Sequence, residues 1–351
     1  MTTVASFTPV QSSRSIEGIA CVVAGMWLFV GQDMLIKELL GAQPLWMLIF
    51  ARACVSVAIL VPLITCLGEK HRFFTPLWPI HFVRAALFTG GFAMFYAAFP
   101  FMGLAEVSTI FFSAPLFTAV LAALFLGERM GRHRIGALIV GFAGVLIAMA
   151  PGHGSFQWVA VLPLFCALFY AASMVLTRRV GDGESSLTMS LWTIGFSGML
   201  IWPIGWLVNT LVPIGPEFHH LRFEFVMPEG TQLVKLALLG LVGMVGYILL
   251  NRAYQVASAS LIAPFDYSYL PFAAVAAWLF WGEVPELRTL AGMTLIVGAG
   301  LYLGYRELRA TRRAKVPAPV AETVFATGFP AIGEEAEDIR PRDPSGISNR
   351  A

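Results

Sequence analysis

Charge is what this sequence has least of. Asp, Glu, Lys and Arg together make up 13% of its 351 residues, about half the share carried by a soluble globular domain. With 23 basic and 21 acidic residues the net charge is only +2, and no nucleic-acid partner is expected. Cysteine is equally sparse. Cys21, Cys54, Cys66 and Cys166 lie singly inside apolar stretches, which reads as small hydrophobes and excludes a disulfide framework. The six histidines show no metal-ligand spacing, so neither a metal nor a cofactor is expected. The close pair His219-His220 beside Glu217 is read as a solvated loop in preference to an adventitious metal site. Also missing are HExxH, an Asp-rich diphosphate motif and a Walker sequence, which argues against a membrane enzyme acting on a lipid-linked substrate. Repeated rings of pore charges are absent too, which argues against a channel. The first 15 residues, rich in Ser and Thr, lead into an apolar run with no small-residue cleavage pattern, so that run is read as a retained span.

Apolar residues are what the sequence has instead: 58% of the chain, for a mean hydropathy of +0.75. Soluble domains of this length do not bury so much apolar surface. The expectation is an all-α polytopic membrane protein, since a helix satisfies every backbone N–H and C=O within its own segment. Spans of about 20 apolar residues fall near 16–39, 45–67, 79–102, 104–126, 135–151, 156–177, 187–212, 232–254, 258–281 and 289–305. Residues 1–15 precede them, and 307–351, rich in Pro, Glu and Asp after a basic start, read as a disordered tail.

The ten spans fall into two copies. Shifting the chain by 156 places aligns Pro115 with Pro271, Gly136 with Gly292 and Ala143-Gly144 with Ala299-Gly300. Gly127-Glu128 in LFLGE meets Gly282-Glu283 in LFWGE one place out of register. Two repeats, 16–151 and 156–306, then hold five helices each. An odd number turns the second copy upside down. Loops on the side of the N-terminus carry thirteen Lys and Arg, against four on the other side. Positive charge stays in the cytoplasm, so both termini are expected there, in a bacterial-type inner membrane. Inverted repeats point to a secondary carrier in which like halves expose a central site alternately.

Ionisable residues inside the spans are the candidate site, because charge in hydrocarbon demands a reason. Asp33 on helix 1 and Arg52 on helix 2 lie at the same depth on antiparallel neighbours and are placed to pair, as a structural lock or as a substrate contact. Asp266 in APFDYSYLP is the sharper candidate for substrate or proton handling. Pro264 and Pro271 flank it, each freeing a carbonyl one turn back. Tyr267 and Tyr269 add hydroxyls and flat faces. Arg252, beside Asn251 and Tyr254, is better placed for the cavity than Arg84, which is expected to snorkel with Lys37. Tyr96 joins the candidates for substrate binding or coupling. Glu106 reads as an acid favoured by a helix N-terminus.

The stretches FYAAFPFMGLAEVSTIFFSAPLFTAVLAALFLGERMGRHRIGALIVGFAGVLI and NRAYQVASASLIAPFDYSYLPFAAVAAWLFWGEVPELRTLAGMTLIVGAGLYLGYRE, with QDMLIK and FYAASMVLTRR, resemble the drug/metabolite transporter superfamily and its ten-helix permeases with paired EamA domains. The likeness covers residues ~16–306. It implies helices 3, 4, 8 and 9 around a central cavity and a permease for amino acids and their derivatives, vitamins, nucleotide-derived solutes or drugs, by proton coupling or exchange. The helix 1 glutamate of the family's small multidrug pumps has no clear counterpart here. The expected partners are a small-molecule substrate and the lipid bilayer, with a homodimer left open.

Overall fold

The computed structural model describes residues 9–67, 75–126, 131–149, 158–180, 186–256 and 265–314. Gly127, Glu128 and Pro264 lie outside them, as do residues 315–351. Within the described residues the regular structure is helical: α1 Pro9–Leu39, α2 Leu45–Leu67, α3 Trp78–Ala97, α4 Leu104–Phe111, α5 Ala114–Leu126, α6 Arg132–Met149, α7 Val161–Val180, α8 Ser186–Leu211, α9 Gly230–Val256, α10 Tyr269–Trp281 and α11 Leu287–Ala314. Short 3-10 turns precede α7 and follow α8. Among the described residues, eight stretches are long and apolar enough to cross a membrane, and two shorter apolar ones are Trp158–Ser173 and Tyr269–Trp281. The protein is an all-α polytopic membrane protein.

Large apolar side chains on the outside fit that medium. Trp27, Leu124, Ile139, Trp206 and Trp278 are all more than half exposed, as expected where lipid is the solvent. The buried set is polar to an unusual degree for a greasy protein: Gln32, Asp33, His81, Arg84, Ser108, Thr109 and Asp266 are all within it.

Two spans that read as continuous helices are broken. The first stops at Phe111 and restarts at Ala114, with Phe112 and Ser113 in a turn. The second has Phe265 and Asp266 helical, a turn at Tyr267 and Ser268, and α10 from Tyr269. A proline follows each break, Pro115 and Pro271. It brings no N–H, and its ring crowds the carbonyl one turn back. The backbone tightens at those points: the Ser113 N–H reaches Ile110 O at 3.1 Å and the Leu270 N–H reaches Tyr267 O at 3.1 Å. The breaks meet in the middle of the molecule, where the Phe112 ring lies 5.5 Å from Tyr267 and 5.6 Å from Tyr269.

Helix α10 ends at Gly282, whose φ of 65° lies in the left-handed region. Its N–H reaches the Ala277 and Trp278 carbonyls. That conformation suits glycine and delivers Glu283 to the end of the bundle where α1 finishes and α4 begins.

Candidate functional site

Asp33 is the centre of a buried polar cluster. It is 4% exposed, on α1. Its Oδ2 accepts a 2.5 Å hydrogen bond from the Tyr269 hydroxyl, at the first residue of α10. Its Oδ1 accepts from Tyr96 on α3 and from the amide nitrogen of Gln32, both at 3.3 Å. Arg52 on α2 donates from Nη1 to the Tyr96 hydroxyl at 3.1 Å. Asp33 and Arg52 therefore do not pair directly; Tyr96 stands between them. Ser108 on α4 sits 3.4 Å from the Tyr269 hydroxyl and also donates to Leu104 O. Five helices converge on one carboxylate, three of them through its own hydrogen bonds.

Beside this cluster is a small internal cavity of about 60 Å³, lined at one end by Gln32, Asp33, Arg52, Ser56 and Tyr96 and elsewhere by Phe29, Phe88, Phe92, Phe95, Phe111, Ile194, Gly243, Met244 and Tyr247. Phe92 is the hub of its wall, with Phe88 at 4.6 Å, Phe111 at 5.7 Å and Phe95 at 5.9 Å between ring centroids.

A second buried charged cluster lies deeper along α3. Arg84 is 1% exposed, and its Nη1 is 3.1 Å from His81 Nδ1. Snorkelling, the expectation for Arg84, does not occur: its guanidinium stays inside. Asp266 is equally buried and engaged. Tyr170 on α7 lies within electrostatic reach of both Asp266 and Arg84. Tyr247 on α9, hydrogen-bonded to Ser190, is in reach of both Arg84 and Arg52 and so links the two clusters. Tyr267 lies close to Asp266 and presses against α11, where a Cβ at Gly300 would fall 1.8 Å from its hydroxyl.

Other candidates lie elsewhere. Arg252 is more than half exposed and bonds Glu17 near the start of α1, away from the cavity. Its neighbours Asn251 and Tyr254 are on α9, but their side chains lie outside the described set. Lys37 does not snorkel freely. It pairs with Glu283 and lies 5.0 Å from the Trp281 ring. The other oxygen of Glu283 accepts the Leu104 N–H at 3.3 Å, and Glu106 accepts the Gly103 N–H at 3.2 Å. These groups border a wider recess of about 490 Å³ at that end of the bundle. His220 is no solvated loop residue either: it is 1% exposed, with Nε2 3.2 Å from the Ala97 carbonyl. Among the described residues no group of three or more metal-ligating side chains forms.

Sequence reading missed Gln32 and the phenylalanine wall and misplaced Arg84. Gln32 had a signal, a polar residue next to Asp33 in an apolar span. The phenylalanines had none, since rings in a membrane helix face lipid as often as they face a cavity.

Comparison with known proteins gives this arrangement its place. The description "EamA-like transporter family" matches residues 16–150 and again 157–305. The chain belongs to the EamA-like transporter family. Similar proteins include the riboflavin transporter of Rhizobium johnstonii, 30% identical over 66% of this chain and 72% of that protein. The pseudopaline exporter CntI of Pseudomonas aeruginosa is 27% identical over 82% of this chain and 95% of its own length. The S-adenosylmethionine uptake transporter of Rickettsia felis is 25% identical over 75% and 84%. One solved crystal structure shares the fold with a TM-score of 0.55 at 17% identity, covering 87% of this chain and 99% of that one. This EamA-family chain is thus a multi-pass protein of a bacterial-type inner membrane, a transporter of small molecules and not an enzyme.

Proposed function

We propose that this EamA-family chain is a secondary carrier of a small organic metabolite, a vitamin, an amino acid derivative or a nucleotide-derived solute, working by alternating access. The observation that carries the reading is Asp33, a buried carboxylate held by Tyr269 at the first residue after a helix break and by Tyr96 beside the cavity. A group bonded both to the cavity wall and to a jointed helix is suited to link solute binding to movement. The likeness to transporters of riboflavin and S-adenosylmethionine supports an organic solute. The two repeats are read as inverted, with both termini cytoplasmic, and the drive as proton coupling or exchange through Asp33 or Asp266. A homodimer is compatible with this reading, and no nucleic acid takes part in it.

The test is counterflow in sealed proteoliposomes. Saturable exchange of labelled solute is expected, whereas flux that never saturates means a channel. Asp33→Asn and Asp266→Asn separate the roles: the coupling carboxylate, once neutral, loses pH-driven uptake and retains exchange. Full pH-driven uptake by both variants rejects coupling at these residues. In the same vesicles, cysteines placed after Glu128 and Glu283 should react from opposite compartments, and labelling from one side rejects the inversion.

A further inference from the structure

Glu106 and Glu283 crowd one corner of the molecule, and a single ammonium lies in reach of both. A Cβ on Gly103 would lie 3.3 Å from Glu283 Oε2 and 3.7 Å from Glu106 Cδ, so the two carboxylates press on the same glycine. Each takes one of two consecutive amides at the start of α4: Glu106 Oε2 accepts the Gly103 N–H at 3.2 Å and Glu283 Oε2 the Leu104 N–H at 3.3 Å. Lys37 is bonded to Glu283 Oε1 and lies within electrostatic reach of Glu106. The other oxygen of Glu106 accepts no hydrogen bond from a described residue. The Lys37 side chain is only 10% exposed. An ammonium so enclosed is costly without a carboxylate, and here it has a second one at hand.

This corner lies over the central cavity. Lys37 is four residues beyond Asp33 on α1, about 6 Å along the axis. Phe99, which lines the recess, packs on Tyr96, which lines the cavity, with ring centroids 5.5 Å apart. Among the described residues the recess and the cavity share no lining side chain, and this one layer divides them. Helix α10 is tied to α1 on both sides of the layer. Tyr269 donates to Asp33 Oδ2 on the cavity side at 2.5 Å, while Glu283 and the Trp281 ring hold Lys37 on the recess side. Both ends of α10 are joints: the turn at Tyr267 and Ser268 precedes it, and Gly282, with its φ of 65°, follows it. Helix α1 packs far more extensively on α9 than on α10, so parting α10 from α1 leaves the main seam intact.

We propose that α10 is the gate between the recess and the central cavity, and that Lys37 exchanges carboxylates as it moves: Glu283 when the gate is shut, as in this structure, and Glu106 when the gate swings away from α1. The proposal rests on the carrier reading above and names the device that controls access to its site. Glu283 follows α10 as it departs, whereas Glu106 belongs to α4 and stays. The exchange keeps the enclosed ammonium paired in both positions. The two positions then differ little in electrostatic energy, as a gate that opens and shuts repeatedly requires. Glu283 favours the shut gate and Glu106 the open one.

The experiment is hydrogen–deuterium exchange of the purified full-length protein in detergent, read by mass spectrometry over residues 269–283. Amides protected in the shut form exchange through the open one, so their rate follows the open population. Glu283→Gln removes the partner of the shut gate and should speed exchange at least about five-fold, the lower end of ordinary coupling between linked sites. Glu106→Gln keeps an acceptor for the Gly103 N–H but removes the partner of the open gate, and with it a like charge beside Glu283. It should slow exchange in the same residues by a similar factor. Slower exchange does not come from a damaged fold, so Glu106→Gln carries the test even where Glu283→Gln folds poorly. Exchange that is unchanged or faster in Glu106→Gln overturns the proposal, as does a folded Glu283→Gln that exchanges no faster. On a Lys37→Met background Glu106→Gln should lose most of its effect, and an undiminished effect overturns the exchange of partners. Neither solute nor vesicle is needed, which separates this proposal from the carrier reading. Opposite shifts in a protein that shows no counterflow retain the gate and remove the carrier; counterflow with unshifted exchange does the reverse.

Discussion

At the residue scale, the site turns on which polar groups the bundle holds in place and which it leaves free. Asp33 and Asp266 were legible because a carboxylate in an apolar span is costly. Their partners were not. Tyr269 is three residues from Asp266 in sequence but donates to Asp33, because the turn at Tyr267 and Ser268 re-aims everything after it. Arg84 seemed to lie near a helix end, yet α3 is sunk among α7 and α8, so the guanidinium has no route to water. His220 illustrates the same force outside the spans. Burial drives its pKa from 6.5 down to about 4, although its bond to the Ala97 carbonyl opposes the shift. A folded-state value below the unfolded one means that the unfolded chain binds more protons between those two pH values. The stability contributed by neutral His220 is therefore full above about pH 6.5 and is lost as pH falls toward 4. The thermal midpoint of the purified protein is expected to drop across that window, and the drop should be shallower in His220→Gln. An identical pH profile for the two proteins would place the acid sensitivity elsewhere.

At the element scale, the repeated Gly-Glu pair acquires a physical role in its second copy. Gly282 ends α10 in a conformation that favours glycine, and Glu283 then ties three elements: it pairs with Lys37 at the end of α1 and accepts the Leu104 N–H at the start of α4. The positive end of the α4 dipole and the Lys37 ammonium both favour a carboxylate there. Glu283→Gln keeps an acceptor for the backbone but removes the charge. A loss of about 1–2 kcal/mol is expected, typical of a partly buried charged hydrogen bond, read as a lower denaturation midpoint. Because the cost is partly that of an ammonium left without its partner, Lys37→Met added to Glu283→Gln should recover some of it, and simple additivity would deny the pairing. The order of the apolar spans was legible from hydropathy alone. The two breaks were not: Pro115 and Pro271 were visible, but a proline in a membrane helix gives a kink, a full turn or no interruption depending on what its neighbours offer the freed carbonyl.

At the scale of the whole molecule, the extensive helix pairings join the first half of the chain to the second: α1 with α9, α2 with α8 and α9, α3 with α7 and α8, α6 with α11. Several close backbone approaches repeat this pattern. A Cβ on Gly25 would come within 3.2 Å of the Gly246 carbonyl, one on Gly144 within 2.9 Å of the Gly292 carbonyl, and one on Gly240 within 2.4 Å of Val55. Lipid gives apolar helices no hydrophobic reason to associate, so packing of small residues has to hold them together. Here much of that packing lies across the boundary between the halves, and so does the bond from Tyr269 to Asp33 in the central site. Among the described residues, each half makes its extensive helix contacts with the other half. The two sequence repeats are therefore expected to be one folding unit. Divided between 150 and 157, the fragments expressed singly should be degraded or aggregated, while co-expression should restore both to the membrane as a complex that survives detergent extraction. A first fragment that is stable and monomeric by itself would mean that the contacts across the boundary hold little of the fold. Co-expressed fragments that stay apart would mean that the continuous chain, more than the small-residue interface, brings the halves together.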